Sequence, residues 1–478
     1  MLQSVPGKIS LTSDCWSSIT TDGYISLTAH YLDARWSLQK RILNFSFMPP
    51  PHTGVAMVEK IYNLLKDWGI EKKVMSMTLD NASANDAFAD CLKGNLDLMC
   101  DGAYFHVKCC CHILNLVVQD GLKEVDEVVC KVRETVKYCK GSQARKQRFL
   151  DCVAYVSLSS ARGLRQDVPT RWNSTFLMLE SAIFYRKAFV HLRKTDTNYV
   201  NCPTNDEWSR VEKLFKFLKV FYDVTCVFSR SKYPTSNLNF PNNVLKVRLL
   251  LKDEIESGDL FVRKIATRMW GKFEKYWSEF SPIMAITAIM YPRYKFQLVD
   301  FSYNIIYGSA GSFEVSCLKN KEFDSFSGGE FTGIPKSELA LYLEEPRVPR
   351  ANNLDIIDYW KSCQPRFPVL SVMARDLLSI PISTVAYESS FSVGGKILDP
   401  VKSSLKSSVV ESLICLRDWS YGHQAETVPE LEELCDNIMS LKVDVDISPS
   451  PTTTPSPVSA SGSETTACST PKMSINID

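Results

Sequence analysis

Apolar and polar residues alternate early in the chain and give way to a helical rhythm further on. Residues 9–13, Ile-Ser-Leu-Thr-Ser, alternate and predict a short strand ending on Asp14. Residues 24–32 predict a second strand and residues 39–48 a third, which is closed by Pro49, Pro50 and Pro51. The links between them are short, which favours antiparallel neighbours. The period then changes. Val55, Val58, Ile61, Tyr62 and Leu65 form one stripe of a helix over about 54–68, with Thr53 as its cap and Gly69 at its end. Residues 74–79 predict a fourth strand ending on Asp80, reached through that helix and therefore parallel to a neighbour. Residues 106–110 predict a fifth, running into a helix around 113–122.

From 123 to 281 the pattern is mainly helical, as in Trp208, Val211, Leu214, Phe215 and Leu218, or Met269, Phe273 and Trp277. Residues 303–335 are rich in Gly, Ser and aromatics and read as a loop. Helical spacing returns at 354–360 and at 368–378, the latter opening on Pro368 and stopped by Pro381. Ser383 or Thr384 can then cap a helix carrying Glu388, and Ser408-Val-Val-Glu411 matches a capping box. Residues 421–444 read as an acidic helix. Residues 445–478 are a Ser/Thr/Pro tail whose composition predicts disorder.

Composition narrows the classes. At 478 residues with 45% hydrophobic and 23% charged content, the chain reads as globular. It has no apolar run near the roughly 18–20 residues of a membrane span, and its start has no signal-peptide pattern. Sixteen cysteines without such a signal read as reduced thiols of the cytosol or nucleus. The net charge of +1 makes no argument for nucleic acid. Its distribution is more informative: Lys137, Lys140, Arg145, Lys146, Arg148, Arg162, Arg165 and Arg171 are opposed within their segment only by Asp151 and Asp167. Such a stretch is either a phosphate-binding surface or a solvated helix face.

Asp14 and Asp80 fall where strands leave a sheet, and Glu388 stands in a run with no other charge before Lys396. Three converging carboxylates suit divalent metal ions and phosphodiester cleavage; an aspartate after a strand also serves as a turn or helix cap. Cys109 and His112 have a C-x-x-H spacing with no second pair at finger distance, so buried thiols compete with zinc, and His112 is a candidate for a phosphate or carboxylate partner. In residues 167–175, Arg171 suits phosphate while Trp172 either stacks on a base or fills the core. No Walker loop, G-x-S-x-G elbow or kinase signature is present.

Seven segments in order resemble the hAT superfamily of DNA transposases, in particular its plant BED zinc-finger members. They are residues 11–16, 50–54, 78–86, 109–115, 167–174, 337–346 and the block around Glu388. The resemblance implies an α+β fold, with a ribonuclease-H-like mixed sheet interrupted by a large helical insertion and a carboxyl-terminal helical dimerisation segment. Its boundaries are 8–125 for the first part of the core, 126–336 for the insertion and 337–420 for the dimerisation region that completes the core. It implies that Asp14, Asp80 and Glu388 form the acidic triad binding Mg²⁺ or Mn²⁺, with His112, Arg171 and Trp172 on the DNA. The implied partners are DNA and further copies of the chain in a homodimer or higher oligomer, with no membrane and no small-molecule substrate, and the implied location is the nucleus. The family's BED finger is not found before the first strand, so no zinc finger is expected here. Tyr291 replaces an acidic residue of the family pattern, and Tyr387 precedes Glu388 where a small residue is common. The expected function is transposase-derived DNA binding and dimerisation with a retained triad. The competing expectation is a domesticated regulator or interaction module without chemistry.

Overall fold

The computed structural model describes residues 2–17, 23–50, 54–158, 162–230, 233–238, 243–277, 282–307, 337–349, 354–384 and 407–421. His52, Thr53, Tyr387, Glu388, most of the predicted loop, nearly all of the acidic helix and the whole tail lie outside the described residues.

Five strands form one mixed sheet: β1 (Ile9–Ser17), β2 (Gly23–Leu32), β3 (Leu38–Met48), β4 (Val74–Leu79) and β5 (His106–Lys108), in the order β3-β2-β1-β4-β5. The first three are antiparallel neighbours, while β4 runs parallel to both β1 and β5. Helices α1 (Gly54–Trp68) and α2 (Ser83–Lys93) cover one face, where Leu11, Ile25, Leu27, Met77 and Leu79 meet Ile61, Leu65, Phe88 and Leu92. Val55 belongs to the predicted stripe but lies in the first turn and is 73% exposed, so burial begins one turn later at Val58.

The opposite face departs from the simple alternation rule. Ser10 and Thr12 of β1, Ser26, Thr28 and His30 of β2, and Ser76 and Thr78 of β4 line it, and all are buried. An alternating antiparallel strand would normally turn its polar side to water. Here the hydroxyls bond to one another: Ser76 Oγ donates to Ser10 Oγ at 3.1 Å, and Thr12 Oγ1 lies 3.1 Å from His30 Nε2. Burial, with a smaller contribution from Lys40, pushes His30 down to about 3, so the imidazole is neutral.

The helical part comprises α3 (Cys110–Leu122), α4 (Asp126–Lys140), α5 (Gln143–Tyr155), α6 (Trp172–Phe184), α7 (Arg186–Thr195), α8 (Asn205–Phe228), the single turn α9 (Ser236–Leu238), α10 (Val244–Glu256), α11 (Leu260–Trp277), α12 (Pro282–Ile289) and α13 (Lys295–Tyr307). Trp172, Phe176, Phe189 and Trp208 anchor its core. α11 approaches α3 so closely that a Cβ on Gly121 would stand 2.4 Å from Met269 Cγ. Tyr291, the residue departing from the family pattern, is buried, and its hydroxyl accepts from Arg293.

The chain then returns to the sheet through α14 (Glu338–Glu344), α15 (Ile356–Cys363), α16 (Pro368–Leu378) and α17 (Ser407–Tyr421). Asp355 caps α15, and the Glu338 carboxylate accepts the first N–H groups of α16 from Val369 and Leu370. From the end of α16, residues 375–384 form a strap across the hydroxyl face. The Arg375 guanidinium sits 4.3 Å from the ring centre of Trp36, which the β2–β3 turn holds at φ 66°. The Lys8 N–H donates to Asp376 Oδ1, Ser379 Oγ lies 3.5 Å from Ser10 Oγ, and Thr78 Oγ1 donates to the Pro381 carbonyl at 2.6 Å. The Cys110 N–H donates to the Ile382 carbonyl.

The expected capping box at 408–411 is not made. α17 starts at Ser407, and Glu411 instead accepts from Ser46 and Asn44 of β3. Asp418 accepts the Ile42 N–H, and Trp419 Nε1 donates to the Ile42 carbonyl, so α17 satisfies the outer edge of β3.

Burial pushes the Asp376 carboxyl up to about 6, against the opposing pull of Lys8, Arg375 and Lys73. The folded state therefore binds this proton more tightly than the unfolded chain. The contribution is fully present below the ordinary value of 3.8 and is lost as pH rises through about 6. Asp376→Asn is accordingly expected to be more stable than the parent at pH 8, by up to about 3 kcal/mol, with the difference vanishing towards pH 4. Thermal unfolding followed at both pH values checks this.

Candidate functional site

Asp14 sits within β1 opposite Ser26, where a position at the strand's end had been expected, because the strand continues to Ser17. β4 is shorter. Its last pair with β1 is Thr12 with Thr78, and Asp80 follows the strand directly. Asp14 within β1 and Asp80 just past the end of β4 each lie two residues beyond that pair. Both are half-buried. Asp14 Oδ1 accepts from the Cys15 N–H at 2.8 Å. Asp80 Oδ1 accepts from the Ala82 N–H and from Asn85, so Asp80 also closes the turn into α2. Desolvation, then the charges of Asp14 and Asp80, push the Cys15 thiol up to about 11 although the residue remains partly exposed. One thiol thus feels both carboxylates.

Glu388 lies outside the described residues, but the chain leading to it is fixed as far as Thr384. The Thr384 N–H and Oγ1 both donate to Cys109 Sγ, at 3.4 and 3.2 Å, where β5 passes into α3. Cys109 also caps α3 by accepting the His112 N–H. Its thiol is buried, and desolvation raises its pKa, so it acts as a neutral anchor. Its sulfur is thus shared between the strap and the start of α3. Among the described residues, no group of three or more His, Cys, Asp or Glu forms a metal cluster.

His112 occupies the first turn of α3 and is half-buried. One and two turns on, Asn115 and Gln119 hold the 167–172 loop. Asn115 accepts the Trp172 N–H and donates to the Thr170 carbonyl, while Gln119 donates to Pro169. The loop's other end is tied by Asp167, whose enclosed carboxylate takes three hydrogen bonds from Arg133 and one from Thr175. Ser174 closes the turn with Val168 and Arg171. Trp172 is 1% exposed and packs edge-on against Phe176, so its indole has no face to offer a base. The exposed member of the pair is Arg171, at the cap of α6. His112 and Arg171 thus flank one side-chain lattice on α3.

The sequence reading missed Arg133, Asn115, Gln119, Asp376 and the hydroxyls of β1 and β4. For the last, the Ser-x-Thr spacing in both strands was the available signal. Two aspartates supply oxygen donors of the kind a hard divalent cation prefers.

Comparison with protein families divides the chain into four matches: a ZBED1 RNase-like domain at 12–104, a ZBED1 RNase-like helical domain at 107–217, an hAT-like transposase RNase-H fold at 237–324, and an hAT family C-terminal dimerisation region at 338–420. Among similar proteins, a Zea mays sequence named "Putative AC transposase" is 34% identical, covering 87% of this chain and 57% of its own. "Zinc finger BED domain-containing protein RICESLEEPER 2" of Oryza sativa subsp. japonica is also 34% identical, covering 87% and 65%. RICESLEEPER 4 of the same plant is 30% identical, covering 87% and 71%. The chain therefore spans less than two thirds of the length of the first two. No helix among the described residues is long and apolar enough to cross a membrane.

The Arg133–Asp167 pair makes a direct prediction. Removing one partner of an enclosed pair strands the other charge. Asp167→Ala should lower unfolding free energy by about 3–5 kcal/mol, read from urea denaturation; an unchanged midpoint would show that the pair does not hold the loop.

Proposed function

The chain belongs to the hAT transposase family, and we propose that it is a nuclear DNA-binding protein that self-associates and carries a metal-binding triad of Asp14, Asp80 and Glu388. The observation that carries this reading is the register of β1 with β4, which ends two residues before Asp14 and Asp80 alike, with the strap leading on towards Glu388. Mg²⁺ or Mn²⁺ held there would supply charge neutralisation and activation of water for phosphodiester cleavage and strand transfer. The protein's own contribution is positional. The sheet fixes two carboxylates, Thr384 ties the incoming chain to Cys109, and His112 and Arg171 offer the DNA a hydrogen-bonding group and a cation. Trp172 supports this surface from below. The matches at 12–104, 107–217 and 338–420 support a ribonuclease-H-like layer, a helical part and a dimerising end, while the RNase-H-fold match at 237–324 falls inside the proposed insertion.

A second reading, a regulator without cleavage, is favoured by one observation: Asp80 is already used as a turn and helix-entry acceptor. Nicking of supercoiled plasmid in Mn²⁺ separates the two. Cleavage by the parent should fall at least about 100-fold in Asp14→Asn, Asp80→Asn and Glu388→Gln, with DNA binding kept. Equal background nicking by all four proteins would leave the regulator. Sedimentation at micromolar concentration should give a dimer or larger species, and monomer alone would refute self-association.

A further inference from the structure

Away from the aspartates, the last turn of α4, the start of α5 and the segment 198–201 enclose a surface groove of about 240 Å³. Its floor is aromatic. The rings of Tyr138 and Tyr199 lie 5.2 Å apart at 32°, and each hydroxyl is turned to a protein partner, Tyr138 to Asp196 and Tyr199 to Thr135. Asp196 is held in turn by Arg148, and Thr135 donates to the Asn201 carbonyl. The floor is therefore rigid before any ligand arrives.

The rim is different. Lys137, Arg145, Asn198 and Asn201 are all exposed. Arg145 lies 4.3 Å from the Tyr138 ring centre, and its side chain donates no hydrogen bond among the described residues. The side chains of Asn198 and Asn201 make none either. The rim's one acid, Glu134, is paired with Lys137 at 3.0 Å, both half-exposed, a contact of the kind that is worth little. Four groups with unspent or weakly spent donors thus surround an apolar floor. The ligand chemistry they fit is acceptor-rich and anionic with an apolar body, and the volume exceeds what one ion or a single water occupies.

We infer that this groove is a second contact for DNA, taking the sugar–phosphate backbone of a strand: phosphate oxygens on Lys137 and Arg145, and the sugar against the half-buried Tyr138, with the buried Tyr199 supporting it from below. It rests on the DNA-binding reading above but uses none of its residues. It also gives part of the basic segment 137–171 a role separate from Arg171. An acidic protein segment is the rival ligand, and the rigid aromatic floor favours the nucleotide.

The test is fluorescence anisotropy of a short labelled duplex, with polyglutamate as a second probe, titrated from about 50 to 200 mM salt. Lys137→Ala/Arg145→Ala should weaken DNA binding about tenfold and reduce the logarithmic salt slope by about 1.8, as for two phosphates lost. The charge-keeping pair Lys137→Arg/Arg145→Lys should retain the slope, which an effect on folding would not allow. Parent-like affinity and slope in the alanine pair, with binding lost in Arg171→Ala, overturns the groove and leaves the DNA-binding reading standing. Loss confined to polyglutamate overturns it in favour of an acidic partner. If the parent protein binds no DNA, both readings fall.

Discussion

The hydroxyl-lined face of the sheet is the constraint on which the rest of the structure depends. Ser10, Thr12, Ser76 and Thr78 are buried, and a buried hydroxyl without a partner is costly by about 1–3 kcal/mol. Some partners come from neighbouring strands, but Ser379 and the Pro381 carbonyl arrive from more than 300 residues downstream. The sheet is thus incomplete until the end of α16 has been laid across it. The same contacts that satisfy it carry the chain to Thr384, where Cys109 receives it. Stability and site assembly share one set of bonds.

Neutrality runs through this region. His30 is kept uncharged, Cys109 remains a thiol, and Asp376 is drawn towards its protonated form. An enclosed ion pair stands apart from them, Arg133 with Asp167. Desolvation is the common cause, and it is also the largest cause of the raised Cys15 thiol, ahead of Asp14 and Asp80.

The local pattern revealed much of the sheet. Local apolar patterning located the five strands, the fifth two residues too long, and the change to a helical period at Gly54 located α1 with both ends. The register of β1 with β4 ends at Thr12 and Thr78, two residues before each aspartate. What stayed hidden depends on partners far along the chain. Nothing near Thr12 and Thr78 in the chain announces the strap that buries them. Trp172 left two readings open until Phe176 and the surrounding core were seen to enclose it. Glu411 fitted a local cap, yet Ser46 and Asn44 of β3 take its carboxylate instead. In each case short-range grammar was sound and a distant acceptor or apolar wall outranked it.

The closure of β3 by α17 has a bearing on how copies of the chain can meet. Trp419 and Asp418 occupy the backbone groups of Ile42, and Glu411 covers the strand further along. At the opposite margin β5 offers just three residues. Among the described residues, α17 thus occupies part of one edge of the sheet and the other edge is short, an arrangement that hinders edge-to-edge pairing with a second molecule. The apolar side chains that α17 turns outward, Leu416 and Trp419, lie on a helix face and not on a strand edge.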